Sequence, residues 1–128
     1  MARKPKYNLT LAQAERAVHW FVAIRELQDW RFTISVSADP PVWVDDEGPR
    51  LEGQAFADRN RKTMQIWVNA PGIEACGRDP LATLFHECEH AAFADAGIRG
   101  DEEDGPIHAL VYQAGSLLAK AYRAGVKP

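Results

Sequence analysis

The sequence has few cysteines and no long hydrophobic run, and each absence excludes a class of protein. Two cysteines, Cys76 and Cys88, are too few to hold a disulfide-stabilised scaffold together. No apolar run approaches the roughly 18 residues that a membrane-spanning helix needs. Residues 1–7 lack the apolar segment of a secretory signal. We therefore expect a cytoplasmic protein with reduced thiols and no membrane association.

An excess of positive charge is also missing. The net charge of −3 argues against nucleic acid as the main partner, because affinity for a polyanion depends on lysine and arginine. Residues 101–104 form an acidic block near the C-terminal end. The 128 residues are enough to bury the core of one domain, and we expect residues 1–8 and 125–128 to be flexible at its ends.

Hydrophobic periodicity predicts helices and strands in a simple order. Residues 10–29 carry an apolar stripe at helical spacing, with Thr10 as N-cap. Residues 32–37 alternate apolar and polar side chains, which is typical of a strand. Residues 54–58 and 63–69 flank a short polar turn, which predicts a β-hairpin. An extended peptide could add to one of these two strands, and the pattern leaves open which of them lies at the edge.

Two further helices are predicted near the C-terminus. One begins at Pro80 with Asp79 as its N-cap and runs to about Gly97. The other runs over residues 106–124. Its predicted core-facing stripe consists of Ile107, Leu110, Val111, Ala114, Leu117, Leu118 and Ala121. We predict a single α+β domain with an N-terminal helix, a three-stranded, mostly antiparallel sheet and these two helices.

The helix from Pro80 contains an HExxH motif, His86-Glu87-Cys88-Glu89-His90. Residues four apart lie one turn apart on the same face of a helix, so both imidazoles can reach one ion. Glu87 is rotated by about 100° from His86, which places it beside a metal-bound water without making it a ligand. The motif predicts one zinc ion bound by His86 and His90, with Glu87 as the catalytic base.

Zinc bound by two histidines needs at least one more protein ligand. The candidates lie in the segment between the HExxH helix and the last helix. Projecting the last helix backwards places Glu103 on the stripe of Ile107 and Ala114, so Glu103 is the preferred third ligand. Asp104 and His108 project to the flank of that stripe and stay open as alternatives.

The order of elements around HExxH resembles the minimal catalytic unit of the zincin metallopeptidases. The segments LFHECEHAAFADAG and DEEDGPIHALVYQAGSLL look like compact zinc peptidase-like proteins of phages and mobile elements, which are related in outline to the ImmA/IrrE and SprT-like groups. The resemblance covers about residues 31–120. It implies His86 and His90 as ligands, Glu87 as base and an acidic third ligand within residues 102–104. Gly105-Pro106 departs from the pattern, in which this region is continuously helical.

These features predict a metallopeptidase that acts on a peptide or protein substrate. His108 and Tyr112, one turn apart, could stabilise the oxyanion if His108 is not a ligand. Two other functions stay open. One is a zinc-bearing regulatory module with little or no catalysis, and the other is a metal-free structural protein.

Overall fold

A computed structural model describes residues 7–44, 52–98 and 106–128, with the side chains of the last segment described from His108 onward. The described residues form four helices and three strands. The helices are α1 (Leu11–Arg25), α2 (Ala70–Ala75), α3 (Pro80–Asp95) and α4 (Pro106–Arg123); the strands are β1 (Arg31–Val36), β2 (Gly53–Asp58) and β3 (Thr63–Val68). The predicted α+β fold class is confirmed.

The caps that the sequence predicts are present. Thr10 and Gln13 form a capping box at the start of α1, each side chain accepting a hydrogen bond from the other's backbone N–H. Asp79 caps α3 by accepting from the backbone N–H of Leu81 at 3.0 Å, and Pro80 opens the helix. These local hydrogen bonds explain why both helix starts are legible in the sequence.

The sheet has the order β1-β3-β2, so β3 is central and β2 lies at an edge. The predicted hairpin is confirmed by the antiparallel pairing of β2 with β3. The other pairing, between β1 and β3, is parallel, so the sheet is mixed. A long connection separates β1 from β2, so β1 can pair in parallel with the side of β3 that β2 does not occupy. The short turn between β2 and β3 allows only antiparallel pairing.

One face of the sheet packs against α1 and α3. Met64, Ile66 and Val68 of β3 are fully buried there, in register with apolar residues of β1. Phe21 of α1 and Phe85 of α3 meet above the sheet with ring centroids 6.2 Å apart. This core packs against one side of α3, and α4 packs against the opposite side.

A short helix, α2, occupies residues that the sequence pattern assigns only to the end of a strand. Asn69 is its N-cap and accepts from the backbone N–H of Gly72 at 3.0 Å. Pro71 lies in its first turn. Six residues are too few for a helical period to show in the sequence.

The face of α4 that packs on α3 differs from the predicted stripe. Val111 is buried as expected, but Leu110 and Leu117 are 61% and 65% exposed, so their assignment to the core is wrong. The contact centres on Gly115, where an added Cβ would lie 2.6 Å from the carbonyl oxygen of Ala82 and 2.9 Å from the backbone nitrogen of His86. Close backbone approach, which apolar periodicity does not reveal, therefore sets the rotation of α4.

An ion pair between a partly exposed arginine and a buried glutamate links α1 to α3. Glu89 is buried and accepts two hydrogen bonds from the guanidinium of Arg25, at 2.7 and 2.9 Å. We expect Arg25→Ala to lower the free energy of unfolding by about 1–3 kcal/mol, because it leaves a buried carboxylate unpaired. The loss should fall below that for a fully buried pair, since the Arg25 side chain is 39% exposed.

Urea denaturation measures this effect, with Arg16→Ala as the matched control. Arg16 is an exposed residue of the same helix, and its substitution should change the free energy of unfolding by no more than about 0.5 kcal/mol. Equal losses in the two variants would show that the Arg25–Glu89 pair does not stabilise the fold.

Candidate metal centre

Helix α3 presents His86 and His90 on the side opposite the core. Leu84, Phe85 and Cys88 on the other side are fully buried, so the helix cannot rotate to withdraw the two histidines. Their ring centroids lie 5.2 Å apart. The sequence prediction that both imidazoles share one face of a fixed helix is confirmed.

Helix α4 adds a third imidazole. The ring centroid of His108 lies 4.9 Å from that of His86 and 6.1 Å from that of His90. One potential ligand atom from each of His86, His90 and His108 lies within 4.8 Å of the other two. Among the described residues, these three side chains form the group able to hold a metal ion.

The state of His86 fits a metal ligand. Its ring is buried, and its Nδ1 atom has no hydrogen-bond partner among the described residues. The pKa of His86 is lowered from 6.5 to about 4, chiefly by burial and further by His90 and His108, against a smaller opposite effect of the Val111 backbone. The ring is therefore neutral at physiological pH, which is the form that binds metal ions.

Glu87 lies beside the three histidines and makes no ion pair with a lysine or arginine among the described residues. It is only 7% exposed, and its Oε1 is 3.7 Å from Nε2 of His86. Burial raises the pKa of Glu87 from 4.5 to about 8. The carboxyl group is therefore protonated at neutral pH in the metal-free protein, and a cation bound by the histidines would favour the carboxylate that a general base requires.

The other two residues of the motif point elsewhere. Cys88 is fully buried in the core, and burial raises the pKa of its thiol well above the ordinary value. This disfavours the thiolate that would bind a metal. Glu89 is bound by Arg25. Neither Cys88 nor Glu89 therefore belongs to the possible metal-binding group.

A cavity of about 570 Å³ opens beside the histidines. It contains His86, Glu87 and His108 together with Tyr112, whose ring centroid is 4.7 Å from that of His86. The remaining lining residues are Glu52, Gly53, Arg78, Asp79, Ala82, Thr83 and Ser116. Two of the three possible metal ligands, His86 and His108, therefore share with Glu87 a space large enough for several residues of a peptide.

The structure brings together His86, Glu87 and His90 as predicted and adds His108, one of the open alternatives. Glu103, the preferred third ligand, and Asp104 lie outside the described residues. The projection that favoured Glu103 assumed that the stripe of Leu110 and Leu117 faces α3, whereas both leucines are exposed. His108, Val111 and Gly115 lie on the face that meets α3, and their i, i+3, i+7 spacing is the signal that could have identified His108.

The two shifted groups predict how the stability of the metal-free protein depends on pH. The folded pKa of Glu87 is raised, so between pH 4.5 and 8 the unfolded chain loses a proton that the folded chain keeps, and stability falls as pH rises. The folded pKa of His86 is lowered, so between pH 4 and 6.5 stability rises with pH. The two slopes oppose each other from pH 4.5 to 6.5, and from 6.5 to 8 the Glu87 slope acts alone.

We expect the free energy of unfolding to fall by about 2 kcal/mol between pH 6.5 and 8. Urea denaturation of chelator-treated protein at both pH values measures it. Glu87→Gln has no carboxyl group at this position and should not show this decrease in the free energy of unfolding. Parallel pH profiles for the wild type and Glu87→Gln would show that Glu87 does not titrate as described.

The described residues include no helix that is long and apolar enough to cross a membrane. Comparisons with protein-family models, curated proteins and solved structures found no match to the chain. Among the described residues, the possible metal-binding group of His86, His90 and His108 is therefore the feature that points to a function.

Proposed function

We propose that this chain is a zinc-dependent peptidase in which His86, His90 and His108 hold one zinc ion and Glu87 is the general base. The observation that carries the proposal is the meeting of three imidazoles, with ligand atoms within 4.8 Å of one another, beside a cavity that His86 and His108 line together with Glu87. The HExxH motif and its resemblance to the zincin metallopeptidases support the same function.

The donor set favours zinc in a catalytic rather than a structural role. Structural zinc sites usually have four protein ligands, often thiolates, whereas catalytic sites have three and keep one position for water. Here the described residues offer three histidines, and the nearest thiol, Cys88, is buried in the core. A zinc ion bound here would supply a water with a pKa near 7 and would polarise the substrate carbonyl.

Glu87 performs the proton transfers in this proposal. Its carboxylate accepts the proton of the attacking water and delivers it to the amine that leaves when the peptide bond breaks. Its buried position keeps bulk water away from this exchange. Tyr112, which lines the same cavity, is placed to donate a hydrogen bond to the oxyanion that forms at the carbonyl.

The edge strand β2 supports a peptide as the substrate. Its outer side is free of a neighbouring strand in the described sheet, so an extended peptide can add there through backbone hydrogen bonds. Gly53, at the start of β2, lines the cavity, and a Cβ at this position would lie 3.6 Å from Cγ of Glu87. A peptide on this edge would therefore pass directly beside the proposed base.

The test is cleavage of casein and of a peptide library by zinc-loaded protein, compared with Glu87→Gln. We expect the substitution to lower kcat by about 10²–10⁴ while the protein retains one zinc ion per chain. Glu89→Gln is the matched control, because Glu89 lies in the same helix but does not line the cavity; once shown to be folded, it should keep the activity. Cleavage that is equal in the wild type and Glu87→Gln would refute the proposal. Zinc binding without cleavage would favour a regulatory module.

A further inference from the structure

The cavity contains a charged side chain that the proposed chemistry does not use. Arg78 is the one cationic residue among the described residues that line it. The side chain is 53% exposed and contacts a single carboxylate, that of Glu52. A guanidinium has five N–H donors, so Arg78 can hold Glu52 and still donate to a ligand.

Apart from Glu52, no acidic side chain among the described residues that line the cavity forms an ion pair with Arg78. Asp79 is occupied by the backbone N–H of Leu81 and by two hydrogen bonds from Arg123, at 2.7 and 3.1 Å. Histidine ligands carry no negative charge that would offset a divalent cation. Arg123 offsets the charge of Asp79, and Arg78 offsets that of Glu52. A bound divalent cation outweighs the remaining carboxylate, that of Glu87, so the site would be net positive and would favour an anionic ligand.

The position of Arg78 sets the distance at which it would act. Arg78 immediately precedes Asp79, the N-cap of α3, and His86 lies seven positions after Asp79 along the helix. At 1.5 Å per residue this is about 10 Å along the helix axis. An extended peptide covers that distance in about three residues. A carboxylate two or three residues from the cleaved bond would therefore reach the guanidinium.

We propose that Arg78 is a specificity-determining residue that binds a carboxylate of the peptide, two or three residues from the bond that is cleaved. This inference rests on the proposed function. The carboxylate belongs either to an aspartate or glutamate side chain or to the C-terminus of the peptide, since both present the same two acceptor oxygens to a guanidinium.

Alanine-based peptides with a single aspartate test the inference, with the cut position read by mass spectrometry. A free acid and an amide at the C-terminus distinguish the two sources of the carboxylate. We expect kcat/KM at least tenfold higher when a carboxylate lies two or three residues from the cut than in the asparagine or amide counterpart. Arg78→Ala should lose this preference and Arg78→Glu should prefer lysine, whereas Arg61→Ala, at the exposed hairpin turn, should keep it.

The outcomes separate this inference from the proposed function. Cleavage without a fixed spacing between carboxylate and cut, or with a preference that persists in Arg78→Ala, overturns the role of Arg78 and leaves the peptidase intact. Absence of cleavage refutes the proposed function. In that case the role of Arg78 is tested by calorimetry, which measures binding of the same peptides to zinc-loaded Glu87→Gln. Tighter binding of the acidic peptide that disappears in Glu87→Gln/Arg78→Ala supports it, and equal binding overturns it.

Discussion

Replacing His108 with alanine is expected to weaken zinc binding by about 100-fold or more. Changes to groups that only support metal ligands typically cost 10–100-fold in affinity, so the loss of a direct ligand should exceed that range. His108 faces both other imidazoles, and among the described residues the possible metal-binding group consists of these three histidines. Competition with a chromophoric chelator measures the affinity, and His86→Ala and His90→Ala should show losses of similar size.

Glu103→Gln provides the decisive comparison, because the sequence alone favours Glu103 as the third ligand. If His108 is the ligand, Glu103→Gln should change the zinc affinity by less than about tenfold, which is the weakest effect expected even for a supporting residue. The reverse result, a large loss in Glu103→Gln and none in His108→Ala, would assign the third position to the acidic segment.

Replacing Gly115 with alanine is expected to destabilise the protein and weaken zinc binding together. A Cβ at this position would lie 2.6 Å from the carbonyl oxygen of Ala82 and 3.1 Å from Cα of His86. These are backbone atoms, so α4 must move away from α3. Such overpacking costs about 1–3 kcal/mol, which over most of that range exceeds the gain of about 1 kcal/mol that alanine brings in place of glycine inside a helix. The same displacement carries His108 away from His86 and His90.

Thermal unfolding of metal-free protein and chelator competition measure the two effects separately. Gln113→Ala is the matched control, because Gln113 is exposed on the same helix and should leave both quantities nearly unchanged. A Gly115→Ala protein that is more stable than the wild type and binds zinc equally well would show that the two helices do not approach each other as closely as described.

The sequence was sufficient for the features that depend on local interactions. The caps at Thr10 and Asp79 arise from side chains that bond to neighbouring backbone groups, and the hairpin follows from a short polar turn between alternating strands. The pair His86 and His90 follows from the helical repeat alone. Each of these is determined within a few residues, so each is readable without knowledge of the rest of the chain.

The remaining features depend on contacts between distant residues. The parallel pairing of β1 with β3 is a choice between the two sides of β3 that no local pattern records. The rotation of α4 is determined by a glycine against a backbone, whereas sequence reasoning places the larger apolar residues in the core. That rotation brings His108, rather than a residue of the predicted stripe, to the other two histidines.

A crystal structure with anomalous scattering data at the zinc absorption edge would show directly whether the three histidines hold zinc. We expect one anomalous peak per chain at about 2.0–2.1 Å from one ring nitrogen of each of His86, His90 and His108, with Glu87 outside the ligand set. No peak at this position in zinc-soaked crystals, or a zinc ion whose third protein ligand is a residue other than His108, would contradict this assignment.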